Sequence, residues 1–135
     1  MVIGVDIGTS SSKGVLVDLE GRVLASHVVE HAVQRPAPGM FEMDGSVWWD
    51  ELVAIARHLV GDVDVQAVGV SGMGPCVLLT DDADQPLRPA ILYGVDTRSG
   101  RQIVRLNDRY GAREIVRRCG SSTPATRAAR WRACF

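Results

Sequence analysis

Apolar residues are concentrated at Val2, Ile3 and Val5, give way to a polar stretch over 8–13, and resume at Gly14, Val15, Leu16 and Val17. This pattern predicts two short strands joined by a tight loop, followed by a hairpin turn at Asp18, Leu19, Glu20 and Gly21. A third strand is expected over 22–33, where Val23, Ala25, Val28 and Val29 alternate loosely. His27 and His31 fall in that strand and read as half-exposed positions. Residues 34–39, Gln-Arg-Pro-Ala-Pro-Gly, form a connecting loop that leads into 40–43.

The period then changes. Trp48, Leu52, Ile55, Ala56 and Leu59 recur at helical spacing, with Asp44 placed as N-cap and Gly61 as the stop. Trp48 fits the stripe, whereas Trp49 points about 100° away and faces either the Pro-rich loop or a ligand. His58 lies beside the stripe, at the surface or its boundary. Strands return over 65–71 and 77–80, separated by Gly72, Met73, Gly74, Pro75 and Cys76, and again over 90–93. Asp81, Asp82, Ala83 and Asp84 form a hairpin tip, because Gln85 and Pro86 follow at once and no downstream Glu completes a calcium loop. Ile103, Leu106 and Tyr110 mark a helix over 99–110, interrupted at Gly111 and resumed up to Gly120. Strands and helices mixed in this way predict an α/β fold, and 135 residues leave room for one domain with a real core.

Charge refines the picture at the far end. Residues 1–97 carry four Arg and one Lys against fourteen acids, a net −9, while 98–135 carry ten Arg against two acids, a net +8. A nucleic-acid tail would interleave aromatics with its cations. Here Arg101, Arg105, Arg109, Arg113 and Arg117 recur every four residues, as the solvated face of a helix does. No apolar run approaches the roughly 18 residues of a membrane span, and Asp6 interrupts the only stretch that could resemble a leader. Cys76, Cys119 and Cys134 lack metal-ligand spacing and are odd in number, which predicts reduced thiols in a cytoplasmic protein.

The one Lys in the chain, Lys13, ends the run Gly4-Val5-Asp6-Ile7-Gly8-Thr9-Ser10-Ser11-Ser12-Lys13. Gly8 lets a backbone approach an anion, and the N–H groups and hydroxyls of Thr9, Ser10 and Ser11 can donate to phosphate oxygens. Asp6 would repel a phosphate unless a hydrated Mg2+ stood between them, since that ion takes one or two carboxylates together with waters and phosphate oxygens. A carboxylate, a glycine, hydroxyls and a cation within eight residues supply the parts of a phosphoryl site. The alternative is a polar hairpin loop in which Asp6 caps its own turn. Neither a Walker A sequence nor a dinucleotide fingerprint is present.

Asp-x-Gly-Thr-Ser/Thr-x-x-Lys/Arg directly after an N-terminal strand resembles the first phosphate loop of the actin and sugar-kinase superfamily. Trp48-Trp49 and Pro89-Ala90-Ile91-Leu92-Tyr93-Gly94-Val95-Asp96-Thr97-Arg98 narrow the resemblance to the FGGY carbohydrate kinases. It implies a partial N-terminal domain of actin-like, ribonuclease H-like ATPase fold over 1–121, with a mixed sheet and flanking helices. It also implies ATP and Mg2+ as cofactors and a sugar or polyol as substrate. Asp6 would hold Mg2+ through water, and Gly8, Thr9, Ser10, Ser11 and Lys13 would face the transferring phosphate. On the sugar side the resemblance points to Met73, Gly74, Asp96 and Arg98. Asp96 and Arg98 read equally as hydroxyl ligands or as a local ion pair.

Three departures qualify the resemblance. Gly45 stands where the family has Pro after the capping Asp; Pro75 occupies the place of a ketose-contacting His; Tyr93 replaces a Trp, with one extra residue before Asp96. A prolyl ring offers no side-chain donor or acceptor, so a contact of that kind is lost. The family's enzymes have two large domains, and their general base is an Asp well downstream, so the isolated chain is expected to be inactive, with self-association or a companion chain as possible partners. Residues 122–135 are rich in Ala and Arg and lack periodicity, and an out-of-frame or truncated end is expected there.

Overall fold

A hairpin opens the chain. Val2–Ile7 (β1) pairs antiparallel with Ser11–Val17 (β2), Val2 opposite Val17 and Ile7 opposite Ser12. The loop is shorter than the polar stretch suggests, because the Gly8 N–H donates to the Ser11 carbonyl at 3.0 Å and closes the turn there. Ser11, Ser12 and Lys13 therefore belong to a strand. A Cβ at position 8 would sit 2.9 Å from that same carbonyl, so the turn itself requires glycine.

The computed structural model describes residues 1–120, and the tail expected over 122–135, with Cys134, lies outside the described residues. Within them the chain divides into two units, the first made of Met1–Val33 and Asp44–Met73, the second of Gln34–Met43 and the residues from Gly74 on.

In the first unit Val23–Glu30 (β3) extends the hairpin antiparallel to β2, and Ala67–Gly72 (β5) lies parallel to β1, giving the order β3-β2-β1-β5. Asp18 closes the second turn by accepting the N–H groups of Glu20 and Arg22. Gly45–Val60 (α1) starts as predicted: the Asp44 carboxylate accepts the Ser46 N–H at 3.0 Å and its hydroxyl at 2.9 Å. Its inner face places Ile55 and Leu59 on Ile3, Val5 and Leu16, and these five buried residues form the core. Trp48 continues the stripe half-buried, while Trp49 is 66% exposed.

The second unit holds Glu42–Met43 (β4) paired with Ala90–Ile91 (β6), then Gly100–Tyr110 (α2) and Ala112–Cys119 (α3). The strands expected over 77–80 and 90–93 shrink to isolated bridges, Val77 to Ile91 and Thr80 to Pro86, and to the two residues of β6. Pro86 and Pro89 have no N–H to give, so a continuous ladder cannot form between these segments. The Asp81 carboxylate accepts the N–H groups of Ala83 and Gln85, which ties the hairpin tip. Gly111 separates α2 from α3, and Gly120 caps α3 in the left-handed conformation, as expected from the sequence. Arg101, Arg105, Arg109, Arg113 and Arg117 are all exposed, the solvated face that their spacing predicts.

Candidate functional site

Alternation along β1, β2 and β5 sends Gly4, Asp6, Lys13, Val15, Gly69 and Ser71 to the sheet face opposite α1. They line an open hollow of about 480 Å3 whose floor is made low by two adjacent glycines, Gly4 and Gly69. Asp6 stands directly between Lys13 on one side and Ser71 on the other. The Ser71 hydroxyl donates to Asp6 Oδ1 at 2.8 Å and fixes the carboxylate's orientation, while Lys13 is exposed and makes no ion pair among the described residues.

The loop beside the hollow is tied in several places. Met73 donates its N–H to the Ile7 carbonyl at 3.0 Å, and the Thr9 hydroxyl approaches Met73 Sδ at 3.2 Å. Among the described residues the N–H groups of Thr9 and Ser10 have no acceptor, and both residues are exposed. An exposed carboxylate held by a hydroxyl, an ammonium opposite it and unengaged N–H groups form a donor set that fits a phosphate carried with Mg2+. The first unit thus brings together Asp6, Gly8, Thr9, Ser10, Ser11, Lys13 and Met73.

Gly74, Asp96 and Arg98 belong to the second unit. A Cβ on Gly74 would stand 2.8 Å from the Tyr93 ring, so glycine lets the aromatic lie against the backbone. Asp96 is 2% exposed and accepts the N–H groups of Phe41 at 2.8 Å and Arg98 at 3.0 Å. The Arg98 guanidinium reaches both its oxygens at 2.9 Å through Nε and binds Glu42 Oε1 at 2.6 Å through Nη1. Arg88 holds the same Glu42 oxygen. Burial alone would raise the Asp96 carboxyl; the Arg98 guanidinium and the Phe41 and Arg98 N–H groups outweigh it and hold the carboxyl below its usual value. The local ion pair, one of the two readings open for Asp96 and Arg98, is present in the fold.

Sequence reasoning missed a second polar group in the first unit. His31 is no half-exposed strand residue: it lies just past the end of β3 with its side chain 6% exposed, and its Nδ1 is 2.9 Å from Glu51 Oε2. Glu51, on α1 and 8% exposed, accepts the hydroxyl of Ser12 at 2.6 Å. The only signal in the chain was an acid at 51 on the helix's apolar side, one residue before Leu52. His27 and His58 stack instead on each other, ring centroids 3.9 Å apart.

Residues 1–126 match the N-terminal domain of the FGGY family of carbohydrate kinases. A xylulose kinase of Klebsiella pneumoniae is 36% identical over 116 residues, which cover 83% of this chain and 24% of that protein. The crystal structure of xylulose kinase from Rhodospirillum rubrum superimposes with a TM-score of 0.80 at 33% identity, over 85% of this chain and 24% of the other. Plasmodium falciparum glycerol kinase, at 21% identity, shares the fold with a TM-score of 0.85 over 93% of this chain and 26% of the other. The chain spans about a quarter of the length of the relatives that it matches. With an actin-like half-sheet, the Asp6 to Lys13 hairpin and a family match along nearly its whole length, the chain belongs to the FGGY family of carbohydrate kinases.

Proposed function

We propose that this chain is the N-terminal part of an ATP-dependent carbohydrate kinase that transfers the γ-phosphoryl group of Mg-ATP to a hydroxyl of a ketose or polyol. The observation that carries this reading is the face shared by Asp6, Ser71 and Lys13 beside the Gly8 to Ser11 turn. Asp6 would hold the hydrated Mg2+, with Ser71 fixing one oxygen so that the other remains turned to the ion. Lys13 and the donors of Thr9, Ser10 and Ser11 would face the phosphate and stabilise charge on its oxygens. The nucleotide, when bound, supplies the phosphoryl group and its leaving oxygen. Met73 and Gly74 are assigned to the sugar side. Asp96 and Arg98 act there indirectly, by holding the 94–98 loop to the segment around Phe41 and Glu42.

Phosphoryl transfer also needs a group that takes the hydroxyl proton. No carboxylate here is assigned to it, and the 135-residue chain is proposed to have no turnover alone. Mg-dependent ATP consumption assayed with pentuloses, hexuloses and glycerol tests this: background rates are expected, and robust turnover would overturn the assignment. Pro75 supports a sugar contact unlike that of a His-bearing ketose site, because its ring neither donates nor accepts.

A further inference from the structure

We propose that His31 is a positioning residue for the phosphate loop, acting from two sides through its own backbone and through Glu51. Its N–H donates to the Ser10 carbonyl at 3.0 Å. Its imidazole Nδ1 lies 3.0 and 2.9 Å from the two Glu51 oxygens, and Glu51 Oε2 receives the Ser12 hydroxyl at 2.6 Å. Ser11 is thereby bracketed: the residue before it is held by the His31 backbone, the residue after it by the His31 side chain through a buried carboxylate. Glu51 is held on α1, whose contact with the sheet is the core of this unit, so the loop is referenced to that buried core.

The chemistry fixes the direction of each bond. A carboxylate buried to this degree must be paired and hydrogen-bonded, and among the described residues the Ser12 hydroxyl and the His31 Nδ1–H are its donors. Nε2 of His31 is buried with no partner among the described residues, so the ring's one strong contact is the Glu51 side. Ser12 is wholly buried and cannot itself touch a phosphate; its hydroxyl serves the loop from behind. Donors held in place before a ligand arrives cost no ordering when it binds, which is what an anion loop with unengaged N–H groups needs.

The test is amide hydrogen exchange by NMR on the 135-residue chain and its variants, without ligand. Gly8, whose N–H closes the turn onto Ser11, reports the loop, and Ile55 in the core helix reports global opening. In His31→Ala, Gly8 exchange should accelerate about ten- to hundredfold more than Ile55, the factor expected for losing a charge-assisted hydrogen bond. His31→Asn, which returns a donor near the Nδ1 position, should recover most of the protection. Equal acceleration at Gly8 and Ile55, or none at Gly8, would reduce His31 to a packing residue and overturn the proposal. Should His31→Ala fail to fold, Ser12→Ala removes one hydroxyl and is read by the same two amides against the same criterion. A long-range 1H–15N spectrum of the parent chain should show the proton on His31 Nδ1; a bare Nδ1 would equally sink the idea. The proposal rests on the kinase reading only in calling this loop a phosphate site. The exchange experiment contains no phosphate, whereas titration with Mg2+ and pyrophosphate tests that reading alone, so the two failures are distinguishable.

Discussion

A Cβ on Gly14 would stand 2.1 Å from Ile55 Cγ2 and 3.1 Å from Leu59 Cδ1, so β2 and α1 touch with no room for even a methyl group. The glycine resumes the apolar run after Lys13 in the sequence, and in the fold it is the floor on which the core helix rests. Gly14→Ala should cost about 1–3 kcal/mol or more through overpacking. A lower urea midpoint with an unchanged denaturant slope is the expected result, and a neutral variant would mean that α1 can move off the sheet.

Ile55 is wholly buried at the same contact. Ile55→Ala should lose about 2–5 kcal/mol, from the transfer of its methyl groups and the cavity they leave. Chemical denaturation measures this directly, and a loss below the range would show that the sheet collapses onto the gap.

Asp6 and Lys13 carry the phosphate-site prediction. Asp6→Asn should weaken the effect of Mg2+ on pyrophosphate binding, and Lys13→Met should weaken pyrophosphate binding itself, by about tenfold or more for a lost charge-assisted contact. Chemical-shift titration of the Thr9 and Ser10 amides is the readout. Both variants should keep the parent's unfolding midpoint, because both side chains are exposed.

Asp96 predicts an acid limb. Its folded carboxyl lies below the usual carboxylate value, so the stability it contributes is present above its unfolded value of about 4 and is lost as pH falls through the folded one. Asp96→Asn should flatten that part of the pH profile. It should also cost about 2–3 kcal/mol at neutral pH, less than the ~3–5 of a wholly orphaned charge, because Glu42 still pairs with Arg98. Unfolding midpoints between pH 2 and 7 for parent and variant would check both.

β5 is the last strand of its sheet among the described residues, with every residue exposed, no charge, and Val68 and Val70 at 56% and 58% exposure. Unprotected edges of this kind pair with other chains. Sedimentation should show concentration-dependent self-association that Val70→Lys suppresses, and a monomer at all concentrations would mean that the edge is inert.

Local chemistry made much of this fold legible in advance. The first three strands, the Asp44 cap, the α1 stripe, the Asp81 turn and the break at Gly111 each follow from residues within one or two turns of one another. The expected strands over 77–80 and 90–93 shorten because apolar content favours strands there while Pro86 and Pro89 lack the N–H groups that a ladder needs. At the site, Asp6 and Lys13 were legible because both fall within one eight-residue stretch.

The hairpin, the helix periods and the family follow from residue order alone, because turn glycines, caps and motif order act at short range. Three-dimensional packing sets the rest: Asp6 meets Ser71, Asp96 pairs with Arg98 and accepts two backbone N–H groups, and His31 is buried against Glu51 and Ser12. Several of these contacts join residues twenty or more positions apart, and which distant polar groups become partners is settled by strand order and by the helix that covers the sheet, which no local pattern encodes.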